Sequence, residues 1–169
     1  VIKHFALNDS EQDRIGLGVW VNEQAAREIY LKAYQEAFEE SGANGVMTAY
    51  TRWGAVWSGG VKGLMTNILR KEWGFKGLLS TDMQNNAGFF RPEMCLYAGI
   101  TMIADFSQNE TMEQVVSTWP YFTEELIAQD EELIEIARED MKYQLYAFSQ
   151  SAVMNVKTVK TMLRKMALM

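Results

Sequence analysis

Four short apolar runs recur along the sequence, and stretches with helical periodicity lie between them. The runs cover residues 1–7, 45–50, 77–81 and 99–104. Apolar runs this short, bounded by turn-forming residues, predict buried strands. Strands that alternate with helices predict an α/β fold of parallel β/α units. An open doubly wound sheet and a closed (β/α)8 barrel both satisfy this order, and the periodicity does not choose between them.

Helical periodicity is clearest over residues 23–40. Asn22 suits an N-cap and Gly42 suits a C-terminal stop. Further helices are predicted over residues 64–73, 92–98 and 130–148. In the first helix the apolar positions recur at three- and four-residue spacing, which places them on one face. They are Ala26, Ile29, Tyr30, Ala33, Ala37 and Phe38.

Polar residues cluster where the predicted strands end. They are Lys3 and His4 in the first run, residues 50–52 after the second, Asp82 after the third and Asp105 after the fourth. In β/α proteins the C-terminal ends of the strands are where sites are built. We therefore expect these four clusters to converge on one pocket.

Asp82 is the candidate nucleophile of that pocket. A carboxylate at a strand end can attack an anomeric carbon and form a covalent glycosyl intermediate, which splits one hard displacement into two easier ones. The alternative is a helix N-cap, because Asn85 and Asn86 indicate a turn toward a helix. Position alone does not separate the two interpretations.

Lys3 and His4 are candidate sugar-binding residues, since both side chains supply hydrogen-bond donors for vicinal hydroxyls. His4 is the one histidine of the chain, so a multi-histidine metal site is excluded. A lone histidine is more often a packed, hydrogen-bonded residue than a catalyst. Arg14 lies among acidic residues, where a local ion-pair network competes with a role in substrate contact.

Two tryptophans, Trp53 and Trp57, lie in a Gly-rich loop and are candidates for a sugar-stacking wall, although aromatic residues in loops also cover cores. The acidic run over residues 124–135 predicts a solvated helix face. A net charge of −6 argues against a general nucleic-acid binder. Cys95, the one cysteine, allows no intramolecular disulfide, and no apolar run is long enough to span a bilayer.

Several segments, read together, resemble glycoside hydrolase family 3, the β-glucosidase family. They are KHFALND at residues 3–9 with Glu11 and Arg14, EQAAREIYLK at 23–32, GVMTAY at 45–50 and LRKEWGFKG at 69–77. The resemblance covers residues 1–105 in unbroken order. The family branch that acts on N-acetylglucosamine carries KHFPGHG in the first segment, so this chain is less similar to that branch.

The resemblance implies a TIM (β/α)8 barrel, of which this chain would hold the last four strands. Residues 1–155 would form the partial barrel domain, and residues 156–169 a basic C-terminal tail. Asp82 is implied as nucleophile, with Lys3, His4, Met47 and Tyr50 in the pocket wall. Arg14 would support the site from its loop.

The implied activity is retaining hydrolysis of β-glycosidic bonds by double displacement, without a metal or organic cofactor. The implied partners are an oligosaccharide or glycoside substrate, the remaining half of the barrel, and another domain that carries the acid/base carboxylate. No nucleic-acid or membrane partner is expected. The start of the chain within a strand suggests a fragment. A soluble protein is expected, and the choice between a bacterial cytoplasm and secretion stays open.

Three positions depart from the family pattern. Thr51 replaces the usual Asn, Met83 replaces the usual aromatic residue after the nucleophile, and Thr101 replaces an Asp. Three alternatives therefore stay open: a catalytically inactive fragment, a degenerate carbohydrate-binding domain, and an unrelated phosphate-binding barrel of the aldolase kind.

Overall fold

A computed structural model describes residues 1–83, 90–104 and 130–155. The strands are β1 (Ile2–Phe5), β2 (Gly18–Val19), β3 (Gly45–Thr48), β4 (Arg52–Trp53), β5 (Val56–Trp57) and β6 (Leu78–Ser80). Helix α1 is continuous and consists of the α-helical Glu23–Ala25, the π-helical Ala26–Leu31 and the α-helical Lys32–Ser41. Helix α2 is the π-helical Gly63–Glu72, followed by α3 (Pro92–Ala98) and α4 (Glu131–Ser149). Short 3-10 turns cover Ser58–Gly60 and Ala152–Asn155.

The main sheet is parallel and follows the order of the chain, β1-β3-β6. Val46 of β3 lies opposite Ile2 on one side and Leu79 on the other. The α/β fold with a parallel sheet and covering helices is confirmed. The predicted strands at residues 1–7, 45–50 and 77–81 are present but shorter at their ends, and the Lys3–His4 and Phe5–Ala6 peptide bonds are cis.

The predicted fourth strand at residues 99–104 is wrong as a regular strand. Gly99 instead ends α3 in a left-handed conformation, with φ of 87°. The rest of the segment makes a single parallel bridge to β6, between Met102 and Ser80. The hydroxyl of Thr101 donates to the Leu79 carbonyl and accepts from the Leu79 amide, at 3.0 and 3.1 Å. Backbone hydrogen bonds also join the two segments, from the Thr101 and Met102 amides to the Leu79 carbonyl and from the Thr81 amide to the Met102 carbonyl, but they stop after this one bridge.

The four predicted helices are confirmed, and their ends follow the expected capping chemistry. The side chain of Asn22 accepts a hydrogen bond from the Ala25 amide at 2.8 Å. Gly42 ends α1 with φ of 63°, a left-handed conformation that glycine adopts without a Cβ penalty. Asp130 caps α4 by accepting from the amides of Glu132 and Leu133.

The core lies between the main sheet and the helices. Phe5, Val46 and Leu79 are fully or almost fully buried on this side. The ring of Phe5 packs edge-on against Tyr34 of α1 and lies 6.0 Å from the ring of Trp73 at the end of α2. The alternate residues of two strands, Met47 and Leu78, are only half-buried on the opposite face of the sheet.

A second small sheet, in the order β2-β4-β5, was not predicted from the sequence. β2 pairs with β4 in parallel, and β4 pairs with β5 as a hairpin through Gly54, whose φ is 61°. Each strand has two residues, which is too short for a period-2 pattern to be visible. This sheet extends directly from the C-terminal end of β3.

Several predictions fall on residues outside the described ranges. These are the Asn85–Asn86 turn (85–86), Asp105, the first half of the acidic run (124–129), and the basic tail at 156–169. In the described part of the chain, none of the helices combines the length and the apolar character that a bilayer crossing requires.

Candidate active site

The carboxylate of Asp82 and the imidazole of His4 face each other where the main sheet ends. Asp82 follows β6 by two residues and is 7% exposed. Its Oδ2 lies 3.5 Å from Nε2 of His4, a residue of β1. The sheet therefore brings together two residues that the sequence predicts to share a pocket.

The two oxygens of Asp82 differ in their hydrogen bonds. Oδ1 accepts from the backbone amide of Met83 at 2.7 Å. Oδ2 is buried and has no hydrogen-bond partner among the described residues. A buried carboxylate oxygen without a donor calls for an explanation, because nearly all such groups in native structures are satisfied. The His4 imidazole faces this oxygen at 3.5 Å.

Two tyrosines hold the backbone on either side of this pair. The hydroxyl of Tyr34, on α1, donates to the carbonyl of His4 at 2.6 Å. The hydroxyl of Tyr50, after β3, donates to the carbonyl of Met83. Burial, together with the charge of Asp82, raises the pKa of Tyr50, so the phenol keeps its proton and remains a donor. These two hydrogen bonds hold the backbone of His4, which carries the imidazole, and the backbone of Met83, which directly follows Asp82.

Arg14 reaches the same cluster from the loop after β1. Its guanidinium carbon lies 4.5 Å from the centroid of the Tyr50 ring. A second contact, from Nη1 to the Glu11 carboxylate at 2.8 Å, is the local ion pair that the acidic loop predicts. The local ion pair is therefore confirmed, and the guanidinium also lies over an aromatic ring of the site, while a contact of Arg14 with substrate stays a prediction.

Lys3 and Met47 are less closely tied to the carboxylate. Lys3 is exposed, and its ammonium makes no ion pair with a carboxylate in the described ranges. Met47 lies opposite Ser80 in the register, on the same face of the sheet as Asp82 by the alternation of strand residues. Their roles in sugar binding stay predictions.

Of the two interpretations of Trp57, as part of a sugar-stacking wall or as a residue that covers the core, the structure supports the second. Trp57 is 1% exposed, its Nε1 donates to the carbonyl of Ala49 at 2.8 Å, and its ring stacks on Phe90 at 4.2 Å. Trp57 is therefore a core residue. Its buried indole, with the N–H hydrogen-bonded, stabilises the loop that carries it. Trp53 is half-buried and packs against the core edge.

Two of the departures from the expected motifs have visible structural roles. Thr51 is fully buried, and its hydroxyl donates to the Ala6 carbonyl at 3.4 Å, so it ties β3 to β1 just beyond the strand ends. Thr101 bonds to β6 as described above. Among the described residues no three His, Cys, Asp or Glu side chains are placed to hold a metal ion.

The sequence model of the family described as glycosyl hydrolase family 3 N-terminal domain matches residues 1–129 of this chain. The chain belongs to glycosyl hydrolase family 3. A family relative, a β-glucosidase of Ruminococcus albus, is 44% identical over 85 residues, which are 50% of this chain and 9% of that protein.

Solved structures of β-glucosidases share the fold of this family 3 chain. One is β-glucosidase 3B from Thermotoga neapolitana in complex with glycerol, with a TM-score of 0.69 and 26% identity over 89% of this chain. Another is the Kluyveromyces marxianus β-glucosidase in complex with glucose, with a TM-score of 0.63 and 26% identity over 87% of this chain. This family 3 chain spans 21% and 17% of those two proteins.

Proposed function

We propose that this chain supplies the nucleophile half of a retaining β-glucosidase site. The observation that carries the proposal is the Asp82 carboxylate, held beside His4 with one oxygen lacking a donor among the described residues. The names of the family relatives, and the glucose bound in one solved neighbour, favour a β-linked glucoside as the substrate.

In the first step a carboxylate oxygen of Asp82 attacks the anomeric carbon while the glycosidic C–O bond breaks. The departing oxygen takes a proton from a carboxylic acid that lies outside this chain, and the sugar stays covalently bound to Asp82. In the second step the resulting carboxylate removes a proton from water, and the water oxygen attacks the same carbon and releases Asp82. Two inversions give net retention, with the two carboxyl groups about 5–5.5 Å apart in the complete site.

His4 and Tyr50 would orient this nucleophile and bind the sugar. A neutral or protonated imidazole can donate to a sugar hydroxyl next to the reacting carbon. Tyr50 holds the backbone directly after Asp82, so the carboxylate does not reorganise as charge moves during attack. Lys3 and Met47 are proposed as further pocket residues, and Arg14 as a residue that supports Tyr50.

The sheet described here is proposed to be the second half of a (β/α)8 barrel, with residues 1–155 in the domain and 156–169 in a tail. Its strands follow the chain order without a reversal, as a closed barrel requires and a doubly wound sheet does not. The half-buried face with Met47 and Leu78 supports a missing partner, since the inner face of a barrel is filled by side chains. The partner would be the first barrel half.

The test uses the full-length polypeptide and its Asp82→Gly variant on an aryl β-glucoside. The wild type should release glucose with the β configuration first, as followed by proton NMR. The glycine variant should lose turnover by about a thousandfold or more, and azide should restore it by forming an α-glucosyl azide. An inverted first product, or a glycine variant with wild-type turnover, would overturn the proposal. The isolated 169-residue chain should not turn over the substrate.

A carbohydrate-binding protein without hydrolysis is the second candidate. Met83 favours it, because this residue directly follows Asp82 and presents no aromatic ring for stacking on a sugar. Calorimetric binding of glucose by the full-length protein, together with no release of aryl alcohol, would select this candidate over the enzyme.

A further inference from the structure

An exposed indole lies on the small sheet next to the candidate active site. Trp20 directly follows β2 and is 81% exposed, the most exposed tryptophan of the described ranges. An indole is a large apolar surface, so full exposure is costly unless something covers it part of the time. The sequence offers Trp53 and Trp57 as candidates for a stacking wall, whereas Trp20 is the tryptophan that is exposed among the described residues.

Two glycines support the ring from below. A Cβ built on Gly54 would lie 3.4, 3.5 and 3.7 Å from three adjacent atoms of the six-membered ring of Trp20. Such similar distances to adjacent atoms mean that Gly54 approaches the face of the ring, since an approach to the edge would leave the flanking atoms much farther away. A Cβ on Gly18 would lie 3.7 Å from Nε1 of Trp20 and 2.9 Å from the Gly54 carbonyl oxygen.

Backbone atoms of Gly54 and Gly18 therefore cover one face of the Trp20 indole, and the other face is open to solvent. Gly54 has a φ of 61°, which a side chain at this position would disfavour, and Gly18 has no room for one. The amide of Gly54 donates to the carbonyl of Val19 at 2.9 Å, which fixes the hairpin against the residue preceding Trp20. One face of the ring is therefore covered by backbone that is itself held in place.

The distance along the backbone places this platform near Tyr50. β4 starts two residues after Tyr50, and Gly54 is the fourth residue after it. Because an extended chain covers at most about 3.6 Å per residue, the two Cα atoms are at most about 14 Å apart. That span, from Tyr50 of the candidate site to the backbone beneath Trp20, corresponds to a small number of linked sugar rings.

The geometry points to Trp20 as a stacking platform for an outer sugar of an oligosaccharide substrate, on the leaving-group side of the bond that is cleaved. This inference rests on the proposed function, which places the reacting sugar at Asp82. The C–H face of a pyranose is apolar and matches the open face of the indole, while the ring N–H and the nearby backbone can serve its hydroxyls. Trp20 would then determine the preference for chain length.

The experiment measures hydrolysis by the full-length polypeptide of cellotriose, laminaritriose and methyl β-glucoside, which has no second sugar. For Trp20→Ala, the ratio of KM for the preferred trisaccharide to KM for methyl β-glucoside should rise about five- to tenfold, with kcat on the trisaccharide little changed. Trp20→Phe should recover part of the loss, since a ring remains. An unchanged ratio for Trp20→Ala would overturn the inference.

Phe148→Ala is the matched control, because Phe148 is an exposed aromatic residue on α4 with 52% exposure and its truncation should change neither KM. Calorimetric titration of the trisaccharides, with Asp82→Asn added both to the wild type and to Trp20→Ala so that the sugar is not cleaved, gives an independent readout that needs no turnover. If the wild type hydrolyses methyl β-glucoside while Trp20→Ala binds the trisaccharides as tightly as the wild type does, the platform is wrong and the proposed function stands. If hydrolysis is absent but Trp20→Ala weakens trisaccharide binding, the enzyme assignment is wrong and the platform stands. An effect of Trp20→Ala on thermal unfolding with no effect on either sugar readout would assign Trp20 to a protein contact instead and reject the platform.

Discussion

The Nε2 atom of His4 lies 3.5 Å from Oδ2 of Asp82, although the two residues belong to opposite edges of a three-stranded sheet. β3 lies between their strands, and the contact forms beyond its end, where Tyr50 leaves the sheet. The carboxylate is almost buried, and the imidazole is one of the few polar groups that reach it. A sugar bound at this position would meet both side chains.

Substitution of His4 tests whether the imidazole acts on the substrate. His4→Ala in the full-length polypeptide should lower kcat/KM on an aryl β-glucoside by about ten- to a hundredfold, because a donor next to the carboxylate is lost. His4→Gln, which keeps a donor, should lose less. Wild-type kcat/KM in the alanine variant, with unchanged circular dichroism, would assign His4 to packing alone.

Removal of the Tyr50 hydroxyl tests whether the backbone after the nucleophile must be held. Tyr50→Phe keeps the ring beneath Arg14 but leaves the Met83 carbonyl without this donor. We expect kcat to fall about tenfold or more while the fold is retained. Tyr97→Phe is the control, because its hydroxyl donates to Asp130 on another part of the chain. Equal effects of the two substitutions would contradict a specific role for Tyr50.

Because Asp140 is a buried acid on α4, we expect the packing of α4 against the rest of the domain to depend on pH. Burial raises the pKa of Asp140 to about 7 from an ordinary value of 3.8, and the charge of Arg70 opposes this shift only in part. At a pH between 3.8 and about 7, the Asp140 carboxyl therefore keeps its proton when α4 is docked and loses it when α4 is undocked. The stability that this proton provides is full below pH 3.8 and is lost as the pH rises through about 7.

Hydrogen exchange of α4 peptides, corrected for intrinsic rates, measures this dependence. Protection should fall by about tenfold or more between about pH 5 and about pH 8. In Asp140→Asn this decline should disappear, because the amide does not titrate. Glu139→Gln, a neighbouring exposed carboxylate, should keep the decline. Protection that rises over the same interval would have the wrong sign for a buried acid.

We expect Arg70 to contribute to the free energy of unfolding in a way that lysine at the same position cannot replace. Its guanidinium is buried and donates to the carbonyls of Phe75, Gly77 and Gly99 at 3.3, 2.6 and 3.4 Å. Lysine carries a point charge without the planar fork, so Arg70→Lys should lower the free energy of unfolding by about 1–3 kcal/mol. Lys71→Ala, at the exposed neighbouring position, should change it by less than about 0.5 kcal/mol. Urea unfolding of both variants decides.

The regular elements could be predicted from the sequence because their periodicity is local. The helices have apolar residues at helical spacing and caps such as Asn22, and three strands are apolar runs. The predicted apolar face of α1 is wrong at Ile29, which is 65% exposed, and at Ala33, which is also exposed. The predicted fourth strand is reduced to one parallel bridge to β6, in which the Thr101 side chain adds to the backbone hydrogen bonds, and no pattern of hydrophobic residues reveals this. The small sheet escaped prediction because its strands have only two residues each, and because β2 pairs with β4 across more than thirty residues of sequence.

The site could be predicted in part, since polar residues at the ends of parallel strands meet by topology. This logic brought His4 and Asp82 together. It could not find Tyr34, because this residue lies on a helix. Its hydroxyl donates to the His4 carbonyl, and no polar cluster in the sequence indicates this contact. Nor could it distinguish Trp57, which is buried, from Trp20, which is exposed, because burial of an aromatic loop residue depends on tertiary packing.

The most direct measurement is intact-protein and peptide mass spectrometry of the full-length polypeptide after incubation with an activated 2-deoxy-2-fluoro β-glucoside. The fluorine slows the second step more than the first, so the glycosyl intermediate accumulates on the nucleophile. One sugar per polypeptide is expected, on the carboxylate of Asp82, and Asp82→Asn should take up none. A sugar attached to another residue, or uptake by Asp82→Asn equal to the wild type, would contradict the assignment.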